Sequence, residues 1–259
     1  MAQRRKRRKK DAAIPQGLSL LRTLEAFPRS VAPEGSTLSH AASLAVTLDG
    51  RSVISGSYEN TVWVSELSSG RLLRNLEGHS GIVGSVAGTP DGRFVVSGSD
   101  DDTVMVWELE SGRLLRTLNG HSGSVYSVAV TPDGRVVVSG SSDKTVIVWE
   151  LESGRRLKTL EGHSGAVASV GITRDGRWIV SASHDRTIRL WDAPTGRPLR
   201  TLEGHTDNVD GLALYGHVAA THSVDQTGPA LGPCHRCRTG DPTRSGPTSS
   251  LLQSCRIYS

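Results

Sequence analysis

Asn119–Leu160 reads NGHSGSVYSVAVTPDGRVVVSGSSDKTVIVWELESGRRLKTL, and the next stretch, Glu161–Leu202, reads EGHSGAVASVGITRDGRWIVSASHDRTIRLWDAPTGRPLRTL. The second copies the first almost letter for letter at a step of 42 residues. The same step carries Gly-His through Gly78-His79, Gly120-His121, Gly162-His163 and Gly204-His205. Thr61, Thr103, Thr145 and Thr187 keep the register, as do Trp107, Trp149 and Trp191. A fixed period of about 20 to 50 residues marks stacked units, each too small to bury its own apolar face.

Within one unit the apolar residues alternate or run in short β-branched stretches, broken by turn chemistry. In the third unit Val125–Val130 reads as a first strand. Thr131-Pro132-Asp133-Gly134 is then a turn, with Pro fixing φ and Gly absorbing a positive φ. Val136-Val137-Val138 lies in a second strand, Ser142-Asp143-Lys144 in a tight turn and Val146 to Trp149 in a third strand. Glu152-Ser153-Gly154 turns again, and Arg156 to Leu160 is a fourth strand. The fold class is all-β, built from four-stranded antiparallel sheets that need neighbours to cover both faces.

These residues resemble the WD-repeat β-propeller family, over roughly residues 37–227. The resemblance implies propeller blades of four antiparallel strands, about four and a half of them, in an open or incomplete propeller. It also implies a hydrogen-bonded chain in each blade, from a His before the first strand, a Ser or Thr in the second, an Asp in the next turn and a Trp in the third. Matching residues are His79, Ser97, Asp101 and Trp107; His121, Ser139, Asp143 and Trp149; and His163, Ser181, Asp185 and Trp191. The fifth unit supplies His205, Thr221 and Asp225, with its first hairpin two residues shorter. A buried indole, imidazole and carboxylate are costly unless every partner is satisfied, so a closed network fixes the register of a blade.

Ser, His and Asp together also suggest a nucleophilic triad. An enzyme needs one such site beside a substrate pocket, whereas this set recurs once per unit with a Trp attached. No G-x-S-x-G elbow is present. The expectation is a non-enzyme with no catalytic residue, no cofactor and no metal.

The pattern fails in identifiable places. In the first unit Thr37 stands where His belongs, Glu59 where Asp belongs and Ser65 where Trp belongs; His40 is three residues late. Trp63, two residues early, reads as lying on the opposite face of its strand. The unit is either a cap or a decaying repeat. Gly17–Glu25 echoes Ser111–Leu118 and reads as a stray fourth strand. After Thr227 the periodicity stops, and residues 228–259 hold all three cysteines, Cys234, Cys237 and Cys255. Advancing one nucleotide there permits V-L-R-W-D-L-A-T-G, so this irregular tail reads as a change of frame. Cys234-His235-Arg236-Cys237 lacks the second pair a zinc site needs and reads as a chance motif.

The organisation expected is therefore a basic disordered arm at 1–16, a propeller arc at 17–227 and the tail at 228–259. Units fall near 37–77, 78–119, 120–161, 162–203 and 204–227. Of the formal charge of +4, Arg4, Arg5, Lys6, Arg7, Arg8, Lys9 and Lys10 contribute +7 and the tail +3, leaving −6 on residues 11–227. The high pI thus says nothing about the folded part. The basic run reads as a solvated terminus, a nuclear-targeting signal, an acidic-lipid contact or a nucleic-acid arm, with no aromatic residue to stack on bases. It is not followed by the apolar core of a secretory signal, and no run is long enough to span a membrane. Cysteine-free repeats suit the cytoplasm, or the nucleus if the basic run targets a eukaryotic chain there.

Function is expected to be protein–protein interaction on a rigid scaffold, with proteins or peptides as partners and self-association if the arc is open. Two alternatives remain: a truncated or frameshifted fragment of a larger signalling protein, and a nucleic-acid-associated protein acting through the arm. On family geometry the partner-binding face comprises Tyr58, Asp100, Ser142 and His184 before the turn Asp positions, with Ile82, Ser124, Tyr126, Asn208 and Asp210 around the first strands.

Overall fold

Four complete antiparallel meanders and part of a fifth follow one another along the chain, and no helix occurs among the described residues. The computed structural model describes residues 41–215, 218–225 and 253–256. The basic arm, the Gly17–Glu25 echo, Thr37, His40, Cys234, Cys237 and the point of the suggested frame change lie outside them. The first blade comprises β1 (Ala41–Val46), β2 (Ser52–Ser57), β3 (Thr61–Glu66) and β4 (Leu72–Glu77). The second comprises β5 (Val83–Gly88), β6 (Phe94–Ser99), β7 (Val104–Glu108) and β8 (Leu114–Leu118). The third is β9 (Val125–Val130), β10 (Val136–Ser141), β11 (Val146–Glu150) and β12 (Arg156–Leu160). The fourth is β13 (Val167–Ile172), β14 (Trp178–Ser183), β15 (Ile188–Asp192) and β16 (Pro198–Leu202). In the fifth, β17 (Val209–Tyr215), β18 (Val218–Ser223) and β19 (Gln253–Arg256) form a three-stranded sheet.

The core lies between blades rather than within them. Val96, Val104 and Val106 of the second blade meet Val125, Val128 and Trp149 of the third. The equivalent seam joins Val138, Val146 and Val148 to Val167, Val170 and Trp191. Both faces of a middle strand are covered, which is why β10 reads as an unbroken Val-Val-Val run instead of alternating with polar residues. Close approach of the first strand to the preceding blade demands small residues there. A Cβ on Gly140 would sit 2.7 Å from Val167 Cγ1 and 2.8 Å from Val170 Cγ1.

A polar ladder joins the blades as well. Ser43, Ser85 and Ser127 each accept, through Oγ, the backbone N–H of a residue in the next blade's first strand: Val86 at 3.2 Å, Val128 at 3.0 Å and Val170 at 3.1 Å. First strands therefore pack in the order β1, β5, β9, β13, β17, and no comparable packing returns β17 to β1. The arc is open. Leu44 is 62 % exposed, whereas Val86, Val128 and Val170 at the same register are 6 %, 7 % and 6 % exposed, each covered by a preceding blade that Leu44 lacks among the described residues.

Two expectations need correction. Trp63 shares its face with Ser65, since residues two apart in a strand point the same way. It pairs with Ser55 as Met105 pairs with Ser97, so it occupies the position next to that of the absent indole. The tail, expected to be irregular, supplies β19, which pairs antiparallel with β18. The physical reason is the free edge of β18, whose unpaired N–H and C=O groups template another strand.

One seam carries a charge where its neighbours carry hydrocarbon. Arg189 occupies the register of Met105 and Ile147, both buried in their seams. Its guanidinium lies 6.0 Å from the Trp191 ring, and its Nε is the one buried side-chain polar atom without a hydrogen-bond partner among the described residues. An unsatisfied buried donor costs about 1–3 kcal/mol, partly offset here by the indole face. Arg189→Met should therefore raise stability by about 1 kcal/mol in denaturant titration. An unchanged or lower midpoint would show that the guanidinium is well accommodated.

Candidate functional site

From the second blade to the fifth, the loop before the first strand delivers a His inward, and the second hairpin delivers an Asp back to the same place. In the second blade His79 Nδ1 lies 2.8 Å from Asp101 Oδ2, His79 Nε2 lies 2.7 Å from Ser97 Oγ, and Trp107 Nε1 donates to Ser97 Oγ at 2.8 Å. In the third, His121–Asp143, His121–Ser139 and Trp149–Ser139 are each 2.8 Å apart. The fourth gives 2.8 Å for His163–Asp185, 2.8 Å for His163–Ser181 and 2.9 Å for Trp191–Ser181. The fifth has a looser partial copy, with His205 3.3 Å from Asp225 and 3.1 Å from Thr221.

Proton positions follow from valence. The indole N–H can only donate, so Ser Oγ accepts it and turns its own hydrogen to His Nε2. The remaining ring proton is then on Nδ1 and points at the carboxylate. Burial drives the same outcome: it pushes the imidazoles of His79, His121 and His163 below their ordinary 6.5, although each Asp pulls the other way. Burial alone would raise the carboxyls of Asp101, Asp143 and Asp185. Hydrogen bonds from the Thr hydroxyl, the His ring and the amide after the His outweigh it and hold them below the ordinary 3.8. Asp185 is held down to about 2.

His Nε2 to Ser and His Nδ1 to Asp is the connectivity of a nucleophilic triad. Access is what differs. Ser97, Ser139 and Ser181 are 0 % exposed, and each Oγ already receives an indole N–H. No substrate carbonyl reaches such an oxygen without dismantling the blade. Among the described residues no group of His, Cys, Asp and Glu could hold a metal ion.

The loops around this network form one rim of the arc. The backbone N–H groups of Asp100, Ser142, His184 and Val224 donate to the carbonyls of Ile82, Ser124, Ala166 and Asn208. That bond sets each turn beside the entry to its own blade's first strand. Tyr58, Asp100, Tyr126 and Asp210 are exposed there, while Ile82, Ser124, Ser142, His184 and Asn208 are half-buried. Three of the expected face residues, drawn from three blades, come together. The Tyr126 ring centroid lies 6.4 Å from that of His184, and His184 Nε2 lies 3.1 Å from Asp210 Oδ1.

Sequence reasoning missed the second Ser of β6, β10 and β14. Ser99, Ser141 and Ser183 each donate to a loop carbonyl, of Gly81, Gly123 and Gly165, and accept the N–H of the network Asp. Their recurrence at the common step was the available signal.

A protein-family model described as WD domain, G-beta repeat matches residues 70–108, 112–150 and 154–192 in tandem. Each matched segment begins with the outer strand of one blade and ends with the third strand of the next, so the sequence unit staples two structural blades together. No curated protein matches the chain.

Proposed function

We propose that the chain, three tandem segments of which match the WD domain, G-beta repeat model, is a non-catalytic scaffold that binds a protein or peptide across the rim bearing Tyr126, His184 and Asp210. The observation that carries this reading is the contact chain between those three side chains, which crosses three blades. Rigid strands hold short loops in fixed positions, an arrangement suited to recognition. Exposed Tyr is among the residue types that interface hot spots favour, and Tyr126 stands beside the His184–Asp210 contact. Tyr58, Asp100, Ser142, Ile82, Ser124 and Asn208 extend the same surface to either side.

The test is site-specific photocrosslinking. A benzoylphenylalanine at Tyr126 should trap a defined partner, and one at Arg135, exposed in the turn at the opposite end of β9, should not. Tyr126→Ala should then weaken binding of the trapped partner by about thirtyfold, the effect of a hot spot of about 2 kcal/mol. Equal trapping from both rims would sink the reading.

A further inference from the structure

Two neighbouring seams between blades follow one plan but differ at two registers near their outer turns. Between the second and third blades, Phe94 and Leu151 pack into the apolar cluster near the Thr-Pro-Asp-Gly turns. Between the third and fourth, the same registers hold Val136 and Ala193. Both exchanges remove side-chain volume at one place, and a cleft of about 360 Å³ opens there, with Leu157 on its wall. It lies at the end of the blades opposite the Tyr126 rim, so it is independent of the function proposed above.

Charge changes at the same lip. The turn position occupied by Pro90 and Pro132 carries Arg174 in the fourth unit, and the position of Glu110 and Glu152 carries Pro194. One cation has been gained and one anion lost. Lys158 adds a second cation, its ammonium donating to the carbonyls of Ala193 and Pro194. Asp133 and Asp175 also line the lip, but each is drawn into its own turn by a Thr hydroxyl at 2.6 Å and by the amide of Arg135 or Arg177. Arg174, an exposed residue, lines the cleft together with the apolar side chains of Val138, Val148 and Ile179.

From this convergence we infer that the cleft between the third and fourth blades is a binding site for a small apolar anion, an aryl or alkyl acid whose hydrocarbon enters the gap and whose charge meets Arg174. A volume of about 360 Å³ falls within the range of ligand sites.

The probe is 8-anilinonaphthalene-1-sulfonate, an aryl anion whose fluorescence rises when its rings leave water. The full chain should bind it with an affinity that weakens as salt is added. Val136→Phe with Ala193→Leu restores the residues of the neighbouring seam and should weaken binding at least about tenfold. Arg174→Pro restores the residue of the neighbouring turns and should weaken the anion about threefold while leaving the uncharged N-phenyl-1-naphthylamine unaffected. Unchanged binding in the double variant overturns the site, and an Arg174→Pro variant that binds both probes like wild type overturns the anion preference. Amide shifts in the wild type keep the inference falsifiable if the double variant fails to fold. They should move around residues 132–136, 157–158, 174–176 and 193–194, and shifts confined to residues 44–46 at the open end of the arc would overturn it.

Discussion

Asp143→Ala lowers stability by about 3 kcal/mol, and Asp100→Ala by less than about 0.5 kcal/mol, although both aspartates lie in corresponding turns of adjacent blades. Asp143 accepts from His121 Nδ1, from the amides of Ser122 and Thr145 and from the Thr145 hydroxyl. Alanine takes the acceptor from those donors and leaves the buried His121 Nδ1 only the long 3.4 Å contact to the Thr145 hydroxyl, and an unsatisfied buried donor costs about 1–3 kcal/mol. The total stays below the sum because water reaches the Ser122 side of the turn. Asp100 is exposed, and its backbone bond to Ile82 survives the substitution. For an array of this size the difference corresponds to a melting temperature about 6–12 °C lower for Asp143→Ala. Circular dichroism melts of the two variants decide the matter, and coincident curves would refute the network.

How much of this was legible in the sequence depends on whether a feature repeats. The four strands of the third unit, Val125–Val130 and its successors, were readable to within a few residues because each is bounded by Pro, Gly or Asp chemistry. His121, Ser139, Asp143 and Trp149 could be named because the family resemblance implies such a chain at positions that recur at a constant step, and the structure brings them within hydrogen-bond distance. Contacts between units were harder. Ser85 looks like an ordinary strand serine until its Oγ is found on the Val128 amide of the next blade. The cleft was invisible for a related reason: Val136 and Ala193 are unremarkable apolar residues, and only their meeting across a seam makes a gap. β19 could not be read at all, since Gln253–Arg256 has no apolar alternation and owes its pairing to the edge of β18.

Acid should destabilise the arc in two steps of the same sign. A buried imidazole held below its ordinary 6.5 binds its proton less readily when folded, so the unfolded chain takes up protons first as the pH falls. Stability from His79, His121 and His163 is full above about pH 7 and declines below about 6.5. The aspartates add a second decline. Their stabilisation is complete above the ordinary 3.8 and is lost below it, extending for Asp185 toward about 2. Melting temperatures should therefore be flat from about pH 8 to 7, fall toward pH 5 and fall faster below about pH 4. Calorimetry in buffers of different ionisation enthalpy should show net proton uptake on unfolding at about pH 6. A melting temperature that rises between about pH 7 and 5.5 would contradict the neutral-histidine network. The chemistry makes that rise hard to reconcile with the geometry. A proton added at His121 Nε2 would displace the Ser139 hydroxyl hydrogen, whose next acceptor is the Ile147 carbonyl at 3.5 Å. Ser139 Oγ would then face two donors, the indole and the imidazolium, while its own hydrogen had only that long contact to use.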